Sequence, residues 1–171
     1  MADIKSTIDI VMERTKNLTM TEEEKDALRQ KEWTGKVRGW VRKFLDGQID
    51  AAELKTDLEA EEKAPPALKN ILKTELITHL QLGGDNRRIF HALEEALDIS
   101  KDPFIKMIQS FQSNMDEHKA RHLEHLRTVL MKRGIHGSSV IPNLAHDKGW
   151  IAYEQQSKTD FNRALTSLTD N

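Results

Sequence analysis

Three of the seven histidines of this 171-residue chain fall on one narrow stripe if residues 116–134, "DEHKARHLEHLRTVLMKRG", form a helix. They are His118, His122 and His125, spaced four and three apart. Imidazoles four apart on a helix can chelate one ion, as in helical zinc and di-iron sites. All three cannot readily converge, because His118 and His125 lie about 10 Å apart along the axis. A Zn or Fe ion would therefore take two of them, with His79, His91, His146 or a carboxylate completing the shell. A second reading is a half-solvated histidine edge beside the apolar line Leu123, Leu126 and Leu130. A third is a pH-sensitive seam, since protonation near pH 6 would put like charges into a packed interface.

No other constellation reaches a reaction. The segment "GIHGSSVIPN" holds His136, Ser138 and Ser139, with Asp147 beyond, but the G-x-S-x-G nucleophile elbow is absent. Arg87 and Arg88 follow "GGDN" and could meet an anion at a helix start, without the lysine pattern of a phosphate loop. The chain has no cysteine. Disulfides, zinc-thiolate sites, iron–sulfur clusters and cysteine nucleophiles are excluded. Its 26 basic and 28 acidic residues leave a formal charge of −2, which argues against a whole-chain field for nucleic acid or an anionic membrane. No stretch approaches the roughly 18 uninterrupted apolar residues of a spanning helix. "MADIKSTIDI" does not read as a signal peptide, so a cytoplasmic location is expected.

The elements that must position the stripe are all helical. Apolar residues make up 37% and charged residues 32%, a balance that suits amphipathic helices each burying one face. Ile4, Ile8, Val11 and Leu18 keep helical spacing. "TMTEEEK" then offers overlapping capping boxes, Thr19 with Glu22 and Thr21 with Glu24. The helix that follows carries Trp33, Val37, Trp40 and Phe44 on one stripe and ends near Asp46, before Gly47. Its basic residues are expected to pair with the acidic runs on either side. Gly35 and Gly39, on the opposite side, suggest a second backbone close by and a central helix. Asp50 with Glu53 opens a short helix that "APP" at 64–66 ends. Leu68, Leu72 and Leu76, with His79 or Leu80, make the next face, closed by "GGD", after which Asp85 can cap a helix bearing Ile89, Phe90, Leu93 and Leu97.

Asp102 as a cap, followed by Pro103, starts a helix that meets no breaker until Gly134. Its roughly 31 residues would span about 46 Å. A compact globule of this length is only about 40 Å across. The helix must cross the molecule or project from it. Phe104, Ile108, Phe111, Met115, His118, His122, His125 and Val129 follow alternating steps of four and three, the seam of a coiled coil. The loop after Gly134 carries Ile135, Val140, Ile141 and Leu144, apolar enough to predict that it packs across the helices. A last helix runs from about Asp147 to Thr169.

Two stretches, "IKSTIDIVMERTKNL" and "RGIHGSSVIPNL", resemble a family of small helical bacterial proteins with no assigned activity. The resemblance implies a bacterial cytoplasmic setting and no catalysis. The pairs His91/Glu95 and His118/His122 also resemble the H-x3-E and H-x3-H pairs of hemerythrin-like bundles. The later H-x4-D pair of that family is missing, because Ile151 stands five residues after His146. That function is not carried over.

The expectation is an all-α, multi-helix bundle whose ~31-residue helix forms a coiled-coil-like hairpin or a dimer seam. Its parts would be residues 1–98, a helical bundle, and 103–171, the long helix, packed loop and last helix, or else one continuous domain. The expected role is non-enzymatic: a homo-oligomer or a binder of another protein, without nucleic acid, cofactor or transmembrane segment. Phe104, Ile108, Phe111, Met115, Leu126 and Val129 are the expected contacts. The alternative is metal binding through His118, His122 and His125.

Overall fold

The computed structural model describes residues 21–61 and 66–169. They form six helices: α1 (Glu22–Leu45), α2 (Ala51–Glu59), α3 (Pro66–Thr78), α4 (Arg87–Leu97), α5 (Asp102–Lys132) and α6 (Lys148–Thr169). A single 3₁₀ turn, Leu144–His146, precedes α6. There is no strand among the described residues. The chain is all-α. The helix expected over residues 4–18 and the Thr19–Glu22 box lie outside the described residues.

Helix ends follow side-chain chemistry closely. Thr21 and Glu24 close a full capping box at α1, and Asp50 and Glu53 close one at α2. At the end of α1, Gly47 takes φ +77° while its N–H and that of Gln48 reach back to the Phe44 and Lys43 carbonyls. Gly134 (φ +78°) ends α5 in the same way, with Ile135 bonding back to Leu130.

Three expected boundaries move. α3 stops at Thr78, short of the glycines, its end tied by bonds from His79 and Leu80 back to Leu76 and Ile77. The capping position of α4 falls to Asn86, one residue after Asp85, yet it is Asp85 that accepts the Arg87 backbone N–H at 3.1 Å while gripping the Arg87 side chain. The Asn86 side chain instead bonds both backbone groups of Gln81, locking the α3–α4 turn at 2.8–2.9 Å. Asp102 is the first residue of α5 rather than its cap.

The core is built on α1 to α4. Val37, Trp40, Val41 and Phe44 of α1 meet Leu54 and Leu58 of α2, Leu68, Leu72, Leu76 and Ile77 of α3, and Ile89 and Leu93 of α4. Phe104 of α5, with Phe161 and Leu165 of α6, belongs to the same cluster, so the apolar core crosses the expected 98/103 boundary. Arg88 ties α4 to α1, donating to the Phe44 carbonyl at 2.7 Å and lying over the Phe44 ring. Arg87 and Arg88 are thus both engaged inside the chain. On the basic face of α1, Lys36 pairs with Glu61 of the following acidic run as expected, whereas Arg38 pairs at 3.5 Å with Glu75 of α3, outside those runs.

Gly35 and Gly39 are exposed, and a Cβ on either would meet nothing within 4 Å. α1 is therefore not covered on both sides, which corrects the expectation from those glycines. Its first three turns, residues 21–32, are exposed throughout.

Helix α5 has the expected 31 residues. Its contacts with α6 run antiparallel: Phe111 meets Phe161, His118 meets Tyr153, and His122 meets Trp150. Only Phe104 of α5 is buried. Met107, Ile108 and Phe111 pack against the edge of the core, and beyond them the helix is at most half-buried. No helix among the described residues is long and apolar enough to cross a membrane.

Candidate functional site

Beyond Phe111, the outer half of α5 has the first turns of α6 and the intervening loop as its neighbours. The histidines fill that interval. The His118 ring lies flat on Tyr153, centroids 3.5 Å apart and planes at 8°, and Trp150 leans on both His118 and His122. Tyr153 is oriented by its hydroxyl, which donates to the Asn114 carbonyl at 3.4 Å. The stack buries His118 Nδ1 with no hydrogen-bond partner. Desolvation first, then the charge of Arg121 and the neighbouring His122, lowers the His118 pKa below its ordinary 6.5.

His122, one turn on, is held differently. Its Nε2 lies 2.7 Å from Asp147 Oδ1, with both side chains about one-fifth exposed (20% and 23%). The same oxygen accepts the Trp150 backbone N–H at 2.8 Å, so Asp147 caps α6 as well. That backbone bond, then the His122 contact, lowers the Asp147 pKa below its ordinary carboxylate value. Gly149 makes room for the pair: a Cβ there would stand 3.2 Å from Asp147 Oδ1 and 3.3 Å from His122 Cε1.

The stripe therefore divides. His118 and His122 face α6, whereas His125 is exposed and joins neither. His91 pairs with Glu95 on its own helix at 3.2 Å, and His79 approaches Glu75. Among the described residues, no three His, Asp or Glu side chains are grouped as a metal would need. The loop residues do not assemble a triad either. His136 and Ser138 line one groove with Met131 and Ile135, while Asp147 lines another with Leu126 and Pro142.

The expected contact residues also divide. Phe104 is 3% exposed inside the core. Ile108 packs against that core, and Phe111 meets Phe161 edge-on at 5.5 Å. These three are used within the chain. Met115, Leu126 and Val129 are half-buried. The expected packing of the loop is overturned at two residues: Ile135 and Ile141 are 49% and 79% exposed. The loop rounds the outer end of α5 and leaves both side chains exposed, and Pro142 is the residue it buries.

Sequence reasoning missed Asp147, Gly149, Trp150 and Tyr153 as partners of the histidines. The signal was present as an aspartate three residues before an apolar helical stripe: Trp150, Tyr153, Phe161, Leu165 and Leu168. Comparison of the chain with protein-family models, curated proteins and solved structures gives no match.

Proposed function

We propose that this is a non-enzymatic cytoplasmic protein that self-associates through the outer end of the α5–α6 pair. The observation that carries the reading is a run of exposed apolar side chains at one end of the pair, two of which, Met131 and Ile135, line one groove. The described residues include five exposed large hydrophobics, and three of them, Met131 (63%), Ile135 and Ile141, lie within eleven residues at that end. Single exposed apolar residues are ordinary, whereas a contiguous group rimmed by polar side chains marks an interaction surface. Two grooves flank the group, lined by Leu126, Val129, Leu130 and Pro142 on one side and by Met131, Ile135 and Val140 on the other.

The interface therefore sits further out than the seam read from the four–three spacing. Phe111 joins α5 to α6 through Phe161, Phe104 is sunk in the common core, and Leu126 and Val129 remain at the margin of the contact surface. Sedimentation velocity over a concentration series tests the reading. The wild-type mass should rise with concentration, and Ile135→Asp/Ile141→Asp should stay monomeric with an unchanged far-UV spectrum. A wild-type monomer throughout the series defeats it.

A further inference from the structure

Resting on that reading, we infer that the tip binds the first three turns of α1 in a second copy of the chain. The tip is strongly basic, a property hidden in the whole-chain sum. Residues 119–148 contain six Lys and Arg against two Asp and Glu, a formal +4, so the other 141 residues carry twenty against twenty-six, or −6. Arg127 lines one groove with Met131 and Ile135, Arg133 lines the other, and Lys132 follows Met131 in the chain; all three bases are exposed. None of the three makes an ion pair among the described residues.

The complementary surface is on the same chain. Residues 21–32 carry Glu22, Glu23, Glu24, Asp26 and Glu32 against Lys25, Arg29 and Lys31. Two of those three bases are already held by their own helix, Lys25 by Glu22 at 2.7 Å and Arg29 by Asp26 at 3.3 Å. Leu28, 46% exposed, stands among them and is the exposed large hydrophobic of this segment, whose net charge is −2. A dozen helical residues without packing are at the margin of stability in water, so this half-helix gains most from a partner. An acidic helix with one apolar anchor fits a basic tip with apolar grooves. Apolar contact holds such a pair, and the opposite charges orient it.

Tip and helix start are different surfaces of one chain, so the contact is heterologous. Two reciprocal contacts close a two-fold dimer, and single contacts continue into a ring or chain. The test uses charge exchange. One full-length variant carries Arg127→Glu, Lys132→Glu and Arg133→Glu; the other carries Glu22→Lys, Glu23→Lys and Asp26→Lys. Each alone should associate at least tenfold more weakly than wild type by sedimentation, and an equimolar mixture should recover it. Leu28→Asp, at an exposed position, should weaken association without touching the tip. Association that survives either charge variant, or a mixture that stays monomeric, overturns the inference while leaving self-association through Ile135 and Ile141 standing. A wild type that never associates overturns both.

Discussion

His122 Nε2 and the Trp150 backbone N–H converge on one atom, Asp147 Oδ1, at 2.7 and 2.8 Å. A single carboxylate thus starts α6 and fastens it to α5. Sequence separation makes this a long-range closure: the two bonded side chains are 25 positions apart, with the whole apolar loop between them. Removing the carboxylate should release both helices at that point. Asp147→Ala is expected to lower Tm by roughly 2–4 °C, the shift of one lost cap in a chain of this size. His122→Ala should cost less, and the double variant less than the two losses added, because both substitutions remove one shared bond. Additive losses in thermal unfolding would show that the bond contributes nothing. Since the folded pKa of Asp147 lies below its ordinary 3.8, its stabilisation is complete above that value and fades only as pH falls further.

Acid should act on the neighbouring turn much earlier. The His118 pKa is lowered, so the unfolded chain takes up a proton near pH 6.5 before the folded chain does. Stability is therefore unaffected by this group above pH 6.5 and declines as pH falls below it. The groups facing the ring are Tyr153 and Trp150 from α6 and His122 from α5, with the Arg121 charge nearby on its own helix. None supplies a carboxylate to the buried Nδ1. Urea unfolding between pH 7.5 and 5.5, followed by tryptophan fluorescence, should show declining stability in wild type. His118→Phe keeps the ring stack and should flatten the decline in that window. An equal decline in the variant would exclude His118 as its source.

Much of this architecture was legible because its signals are local. A capping box such as Asp50 with Glu53 is closed within one turn, and the aromatic stripe of α1 repeats within its own helix. The 31-residue length of α5 followed from the absence of any breaker between Pro103 and Gly134. The histidine site was half legible. Spacing placed His118 and His122 on one face, but their partners depend on how far the loop carries the chain before α6 begins, which no helical period encodes. The same reason explains Ile135 and Ile141. Apolar composition predicts burial only where another element is at hand, and no described element buries these two side chains. Gly35 and Gly39 misled for the converse reason: a missing side chain permits close approach and does not require it.

The division of the seam into an inner, structural part and an outer, open part can be measured with two aspartates. Phe111→Asp places a carboxylate against Phe161 and the edge of the core, and should cost about 3 kcal/mol, the range for losing a packed phenylalanine. Ile141→Asp, at a side chain 79% exposed, should stay within about 0.5 kcal/mol of wild type. Both are predicted to weaken self-association, the first by loosening the α5–α6 pair and the second by removing a contact. Urea midpoints separate the two mechanisms. Equal midpoints for both variants would mean that Phe111 is no more structural than Ile141.

Glycine substitutions give opposite expectations at two places on the same fold. Gly35 and Gly39 sit in mid-helix with open space where a Cβ would stand. Alanine at either should stabilise by about 0.5–1 kcal/mol, since it restricts the unfolded chain and meets no neighbour. Gly149 lies in the first turn of α6, where the same gain is opposed. Its Cβ would come within 3.2 Å of Asp147 Oδ1 and 3.3 Å of His122 Cε1, closer than ordinary contact. The ring of His122 is held between Trp150 and Asp147 and has little room to retreat. Gly149→Ala should therefore yield no net stabilisation, and the non-additivity between His122→Ala and Asp147→Ala should shrink in its background. Chemical unfolding of the three alanine variants side by side decides the matter. A gain at Gly149 equal to those at Gly35 and Gly39 would mean that the His122–Asp147 contact is loose enough to accommodate a methyl group.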